Sequence, residues 1–212
     1  FLEKRVYKMP CQYNSVEKFD SPEVLHFKNN IQRYVQLTEG DFGQIVKKLK
    51  TVSLKRREIL VPIGDVCKHV YFIESGLLRY YQIVDGEEVT GQFFFEGSWY
   101  TDLESFLTEK PSRQCAQGIE ETKLLALSRK DLYQLFEEIP KFERFGRLMA
   151  ENSFIGLRKK MDRLSLFTAE EAYLDLIKTR PKVIERVPQH YIASFLGIKP
   201  QSLSRIRKRL VS

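Results

Sequence analysis

The 212-residue chain reads as an α+β protein: helices, then a small β-barrel or roll, then a long helix and a compact helical end. Three observations predict this. Apolar residues recur at helical spacing from Asn29 to Leu49; the period then drops to two in short runs; helical spacing returns at Ser128 and persists to the end. Turn residues punctuate the central runs every 8–12 positions or so, the rhythm of an antiparallel barrel or roll rather than a parallel sheet.

Residues 1–28 show no sustained period and break at Asp20-Ser21-Pro22, so they read as a loosely ordered extension. Ile31, Tyr34, Val35, Phe42, Ile45, Val46 and Leu49 form the first helical pattern, with Glu39-Gly40-Asp41 dividing it into two short helices. The expected strands are Ile59-Leu60-Val61, Val70 to Ile73, Leu77 to Tyr81, Val89 to Phe95 and Lys123 to Leu127. Asp85-Gly86 between two of them is a hairpin turn, since glycine accepts the positive φ that a tight turn requires. This region spans 29–140. Ser128 is placed to cap a helix that Pro140 ends, and a second helix over 141–167 carries Phe142, Phe145, Leu148, Met149, Ile155, Met161 and Leu164. At about 37 Å it is too long to bury its apolar stripe on a small barrel, which points to pairing with a second copy. Thr168 and Glu171 have capping-box spacing and open the last region, 168–212.

Composition narrows the function classes. A hydrophobic share of 42% and an aromatic share of 12% exclude disorder. No run approaches the roughly 18 apolar residues of a membrane span. The opening FLEKRVYKMP lacks the apolar core of a secretion signal, so a cytoplasmic protein is expected. Cys11, Cys67 and Cys115 stand far apart and suggest neither a disulfide framework nor a metal site. His26, His69 and His190 are single and widely separated, which argues against a cupin-like barrel enzyme with a histidine-ligated metal. No Ser-His-Asp arrangement or phosphate-cradling glycine loop appears either, so the expectation is a non-enzyme.

The net charge is +7, and its distribution matters more than its size. From Val187 to Ser212 the chain carries Lys199, Arg205, Arg207, Lys208 and Arg209 and no acidic residue. Within that stretch Ala193 supplies the small residue that two crossing helices need, and Gly197 the left-handed turn four positions on. Ile192, Leu196, Ile198, Leu203, Ile206 and Leu210 would face inward, and Pro200 would open the second helix. Gln201, Arg205 and Lys208 or Arg209 share the opposite face. Glutamine can read adenine and arginine guanine by paired hydrogen bonds, while the other cations suit phosphates. The arrangement points to a helix-turn-helix that reads double-stranded DNA.

With these residues in view, the chain over about 29–210 resembles the Crp/Fnr family of bacterial transcription regulators. The resemblance implies a double-stranded β-helix of the cyclic-nucleotide-binding jelly-roll type over residues 54–127, with Gly64, Gly76 and Gly97 at its hallmark turns. It also implies a dimerisation helix at 141–166, a winged helix-turn-helix reader, a homodimer, and RNA polymerase as a further partner. Pro200, Gln201, Ser202 and Arg205 fall at the family's base-contacting positions and Gln189 near a phosphate-contacting one. Lys199 stands at the N-cap position, where it could still meet a phosphate. With the chain stopping soon after the reading helix, a wing would have to lie earlier, around Val183 to Val187, or be missing.

The resemblance places an effector pocket at Thr101, Asp102, Leu103, Ser112, Arg113, Leu157 and Arg158, and every one of these but Leu103 departs from the nucleotide-binding pattern. Thr101-Asp102-Leu103 replaces Gly-Glu-Leu, Ser112-Arg113 reverses Arg-Ser, and Leu157 and Arg158 replace small hydroxyl residues. A one-residue offset on a strand turns a side chain to the opposite face, so Arg113 is not expected to hold a cyclic phosphate. No cofactor is assigned; the expected effector is an unidentified small molecule, with cyclic AMP disfavoured. The competing reading is a nucleotide-binding regulatory subunit that acts on a protein, against which the acid-free basic terminus argues.

Overall fold

A computed structural model describes residues 12–16 and 21–211. The chain divides into two compact units: the described residues up to Tyr80 with Phe94–Leu148, and Tyr81–Phe93 with 149 onward.

In the first unit, β1 is Asn14–Ser15 and α1 is Pro22–Gln32. Ser21 caps α1 by accepting the Val24 N–H, and Pro22 costs nothing at the first helical position. The helix therefore begins inside the segment expected to be a loose extension; residues 1–11 and 17–20 lie outside the described residues. Phe27 and Ile31 are wholly buried, and Asn30 ties the helix down, donating to the Gly97 carbonyl at 2.9 Å and accepting from the Trp99 indole at 2.9 Å. α2 covers Glu39–Lys48 behind a capping box of Thr38 and Asp41, so Glu39-Gly40-Asp41 is its first turn and not the expected interruption.

The strands are β2 (Lys50–Leu54), β3 (Ile59–Val61), β4 (His69–Ser75), β5 (Leu78–Val84), β6 (Glu87–Phe94), β7 (Trp99–Tyr100), β8 (Gln114–Gly118) and β9 (Thr122–Ser128). One sheet runs β1-β2-β9-β4-β7 and the other β3-β8-β5-β6. The pairs β1–β2, β2–β9, β3–β8, β4–β7 and β4–β9 are all antiparallel. Hydrophobic side chains from the two sheets meet between them: Val52, Leu54, Tyr71, Ile73, Tyr100, Leu124 and Ala126 from the first, Leu60, Val61, Leu78 and Ala116 from the second. Four strands, β1, β2, β7 and β8, escape the alternation test because two have only two residues and two mix small and polar groups. The β5–β6 turn is as expected, with Asp85 at φ 51° and Gly86 at φ 84°, and Gly64, Gly76 and Gly97 also take positive φ.

α3 (Leu103–Thr108) lies between β7 and β8, and α4 (Arg129–Glu138) follows β9 behind its Ser128 cap. α5 runs from Pro140 to Leu166, about 40 Å of helix, with its first third in the first unit and the remainder in the second. Among the described residues no helix is long and apolar enough to cross a membrane.

The second unit continues with α6 (Ala169–Thr179), α7 (Pro181–Arg186), α8 (Gln189–Phe195) and α9 (Pro200–Val211). The expected capping box of Thr168 and Glu171 opens α6. The stretch around Val183 to Val187, where a wing would lie if there is one, is instead mostly the helix α7, because Pro181 starts a turn that Val183 anchors in the core. Among the described residues, 168–211 contain helices and no strand.

Candidate functional site: a reading helix and a closed cassette

The α8–α9 pair is built from its turn outward. α8 ends in a full left-handed closure: the Gly197 N–H bonds the Ser194 carbonyl at 3.1 Å and the Ile198 N–H bonds the Ala193 carbonyl at 3.0 Å. Gly197 takes φ 70°, a conformation that costs a residue with a Cβ about 1–2 kcal/mol. α9 then starts at Pro200, leaving Lys199 at the position before it with its carbonyl accepting the Ser202 and Leu203 amides. Ala193, Ile192, Leu203 and Ile206 are buried and hold the two helices together. Leu210, expected to face inward, is 40% exposed, because the stripe through Leu203 and Ile206 ends before the last turn. Phe195 is buried instead.

The other face of α9 is open. Gln201, Arg205 and Lys208 are exposed in one row, with Ser204, missed by sequence reasoning, exposed between the first two. Gln201 and Arg205 have no hydrogen bond or ion pair to any described residue. Arg209, by contrast, reaches back 2.5 Å to Glu170 on α6, so one of the expected DNA cations is already paired. Lys199, Pro200 and Gln189 are exposed, the last as the first residue of α8; Ser202 is half-buried. The exposed face thus offers two side chains capable of reading bases beside several cations.

The cassette around α3 has the opposite character. Asp102 is buried, caps α3 by accepting the Ser105 N–H at 3.3 Å, and lies 2.5 Å from the Ser112 hydroxyl. Thr101 donates its hydroxyl to the His69 carbonyl at 3.0 Å. Arg113, one residue past Ser112, points outward and pairs with Glu104 at 2.8 Å, both side chains mostly in solvent. Leu103 is exposed. Leu157 and Arg158 belong to the second unit; Leu157 is exposed, and Arg158 is paired with Asp162 one turn along α5. Inside the roll, aromatic rings form a chain: Tyr71 on Tyr100 at 6.2 Å, Tyr100 on Phe94 at 5.1 Å, Phe94 on Tyr80 at 6.2 Å. Burial first, then the neighbouring Cys67 and Asp102, pushes the Tyr100 phenol well above its usual range, so it stays neutral.

Residues 51–139 match the family model of the cyclic nucleotide-binding domain. Over 155 residues the chain is 26% identical to the cyclic AMP receptor protein of Thermus thermophilus, a match covering 68% of each. FixK2 from Bradyrhizobium japonicum is similar in structure, with a TM-score of 0.64 at 18% identity over 76% of this chain and 84% of that one. The c-di-GMP-responsive global regulator CLP of Xanthomonas campestris gives 0.65 at 16% identity, over 82% and 91%.

The cassette departs from the nucleotide-binding pattern in a definite way. The position where the resemblance puts a phosphate-binding arginine holds Ser112, 3% exposed and turned onto Asp102. The arginine that does occur nearby is on the surface with a carboxylate of its own. Sequence reasoning identified both positions but not their bonding to each other, since only folding brings residue 102 beside residue 112. It also missed the aromatic filling; Tyr80, Phe94 and Tyr100 read in sequence as ordinary strand residues.

Proposed function

We propose that this protein is a homodimeric, sequence-specific DNA-binding transcription regulator of the Crp/Fnr type, acting in the cytoplasm, whose roll does not hold cyclic AMP in the family's usual way. The observation that carries the DNA reading is the open face of α9, where Gln201 and Arg205 stand exposed and unpaired behind a turn that fixes the helix rigidly. An arginine and a glutamine left free in this way are matched to guanine and adenine edges in a major groove.

Dimerisation is supported by α5. Phe154, Leu157 and Met161 are 72%, 54% and 56% exposed, spaced as one helical stripe. A second copy of that stripe is the partner its chemistry fits, and the pair would set two reading helices about 34 Å apart on successive major grooves. The arginines at the cassette are already paired, Arg113 with Glu104 and Arg129 with Glu109, and Asp102 would add a carboxylate; burying an anion without a partner costs several kcal/mol. The named relatives are receptors and regulators rather than enzymes, in keeping with a regulator here.

The test is selection of bound fragments from genomic DNA, followed by titration of the enriched duplex at several salt concentrations. Affinity should fall steeply as salt rises, with a log–log slope reflecting the phosphates contacted. Arg205→Ala should weaken binding to the enriched site by about 1–3 kcal/mol, roughly 10- to 100-fold, while leaving unrelated duplex almost unaffected. No enriched sequence, or an Arg205→Ala protein with unchanged preference, would overturn the reading.

A further inference from the structure

The second unit contains a part of the chain far from its helices in sequence: the outer halves of β5 and β6 with their turn, Tyr81–Phe93. This hairpin is bonded to the reader. The Ser194 hydroxyl, near the end of α8, donates to the Glu88 carbonyl at 2.7 Å and accepts the Thr90 N–H at 2.9 Å. Two residues apart, those groups share one edge of β6, and β6 is the last strand of its sheet. Ser194 therefore does for the open edge what a neighbouring strand would do. Charged donors reinforce the contact. Lys160 donates to the Gly91 carbonyl at 2.8 Å, and Arg180 reaches the Gln92 side-chain oxygen at 2.5 Å and the Phe93 carbonyl at 2.9 Å. Phe93 packs on Phe195, ring centres 5.3 Å apart. Thr90, Gly91 and Phe93 are buried in the contact.

The charges of the two partners are complementary. From Tyr80 to Glu96 the chain contains no lysine or arginine, and the hairpin carries Asp85, Glu87 and Glu88, all exposed. The reader from Val187 onward contains five cations and no acid. The main-chain bonds to α8 thus carry three carboxylates to the same helix pair that phosphates would approach, since the first helix of such a motif crosses the DNA backbone.

We propose that the β5–β6 hairpin is an autoinhibitory clasp, which holds the reader through Ser194 and sets an acidic tip against its cations in competition with DNA phosphates. The inference rests on the DNA reading above. When the clasp is shut, the carboxylates offset part of the field that draws a duplex in; releasing it restores that field and frees α8 and α9 to seat in the groove. Because the two sites are coupled, whatever loosens the hairpin raises DNA affinity, and DNA in turn loosens the hairpin.

The experiment compares four full-length proteins: wild type, Ser194→Ala, the triple variant Asp85→Asn/Glu87→Gln/Glu88→Gln, and a charge control, Glu120→Gln/Glu137→Gln/Glu143→Gln. Asn at 85 tolerates the positive φ there, and alanine suits the helix at 194. Hydrogen exchange at the Thr90 amide without DNA reads the clasp itself, and should be faster in Ser194→Ala than in wild type. Titration with duplex, specific or not, reads competition. Ser194→Ala and the triple variant should each bind about 5-fold tighter or more, an advantage that shrinks as salt screens the clasp, whereas the control should stay near wild type.

Unchanged Thr90 exchange in Ser194→Ala would mean the clasp does not form. Faster exchange with unchanged or weaker DNA binding would make the contact structural only. Tightening in the triple variant matched by the control would reduce the effect to net charge. Each of these overturns the proposal. A wild type and variants that all fail to bind duplex, with Thr90 exchange altered as expected, would instead overturn the DNA reading and the competition built on it.

Discussion

The cassette around α3 and the outer face of α9 both present polar residues at positions that the sequence singles out as candidate sites, yet they are opposite in state. In the cassette the polar groups are paired with one another: Ser112 with Asp102 and Asp102 with the start of α3 in the interior, and Arg113 with Glu104 at the surface. On α9, Gln201 and Arg205 meet no described residue. A buried polar group must be bonded inside the fold, because leaving it unsatisfied costs about 1–3 kcal/mol. An exposed one is satisfied by water and can exchange that water for a base. The same kinds of side chain thus mark a closed place in one region and an open one in the other, and burial makes the difference.

Three experiments press on that contrast. The largest effect is expected outside both regions, at the stripe that would make the open face bivalent. Leu157→Asp should convert a dimer into a monomer by light scattering and lower affinity for a two-half-site duplex by roughly 100-fold or more, through lost avidity. A dimer that persists would rule out the α5 stripe as its seam without touching Gln201 and Arg205. Next, Ser112→Ala leaves Asp102 without its hydroxyl partner and should cost about 1–3 kcal/mol, lowering Tm by several degrees. DNA affinity should not change. Millimolar cyclic AMP should leave the wild-type Tm where it is; a site with Kd near 10 μM would add about 2.7 kcal/mol at one hundred times Kd, a shift easily seen. Such a shift would show that the cassette is not closed.

The smallest effect concerns His69, half-buried and stacked on Tyr13 with ring centres 4.7 Å apart. Burial, outweighing the attraction of Asp131, holds its imidazole below the usual range. The unfolded chain then takes up a proton near pH 6.5 while the folded protein does so only at lower pH, so stability falls as pH drops through that window. His69→Phe keeps a ring for the stack and should flatten the fall of Tm between pH 7 and the window's acid end. An equally steep fall would place the sensitivity on carboxylates instead.

Much of this was legible in the residues. Asp85-Gly86 announced its turn, Thr168 and Glu171 their cap, and the apolar period of α9 its open face, because each depends on neighbours within about one helical turn or hairpin. Where reasoning failed, the deciding neighbour was remote or the segment too short to show a period. The two-residue strands β1 and β7 are made by their partners. Glu39-Gly40-Asp41 was taken for a break because glycine disfavours helices, and the Thr38–Asp41 cap outweighed that preference. Of the two alternatives for a wing, the one around Val183 to Val187 is ruled out by α7.

By itself, then, the amino-acid order determined the alternation of helix and strand, the turns, and the basic reading face, all of them consequences of local dihedral preference and periodicity. Only the tertiary structure decided that Ser112 belongs to Asp102, that Arg209 is held by Glu170, and that Ser194 closes the edge of a strand more than a hundred residues earlier. Those pairings are absent from any sequence pattern because a hydrogen bond selects its partner by distance after folding, and distance along the chain says almost nothing about it.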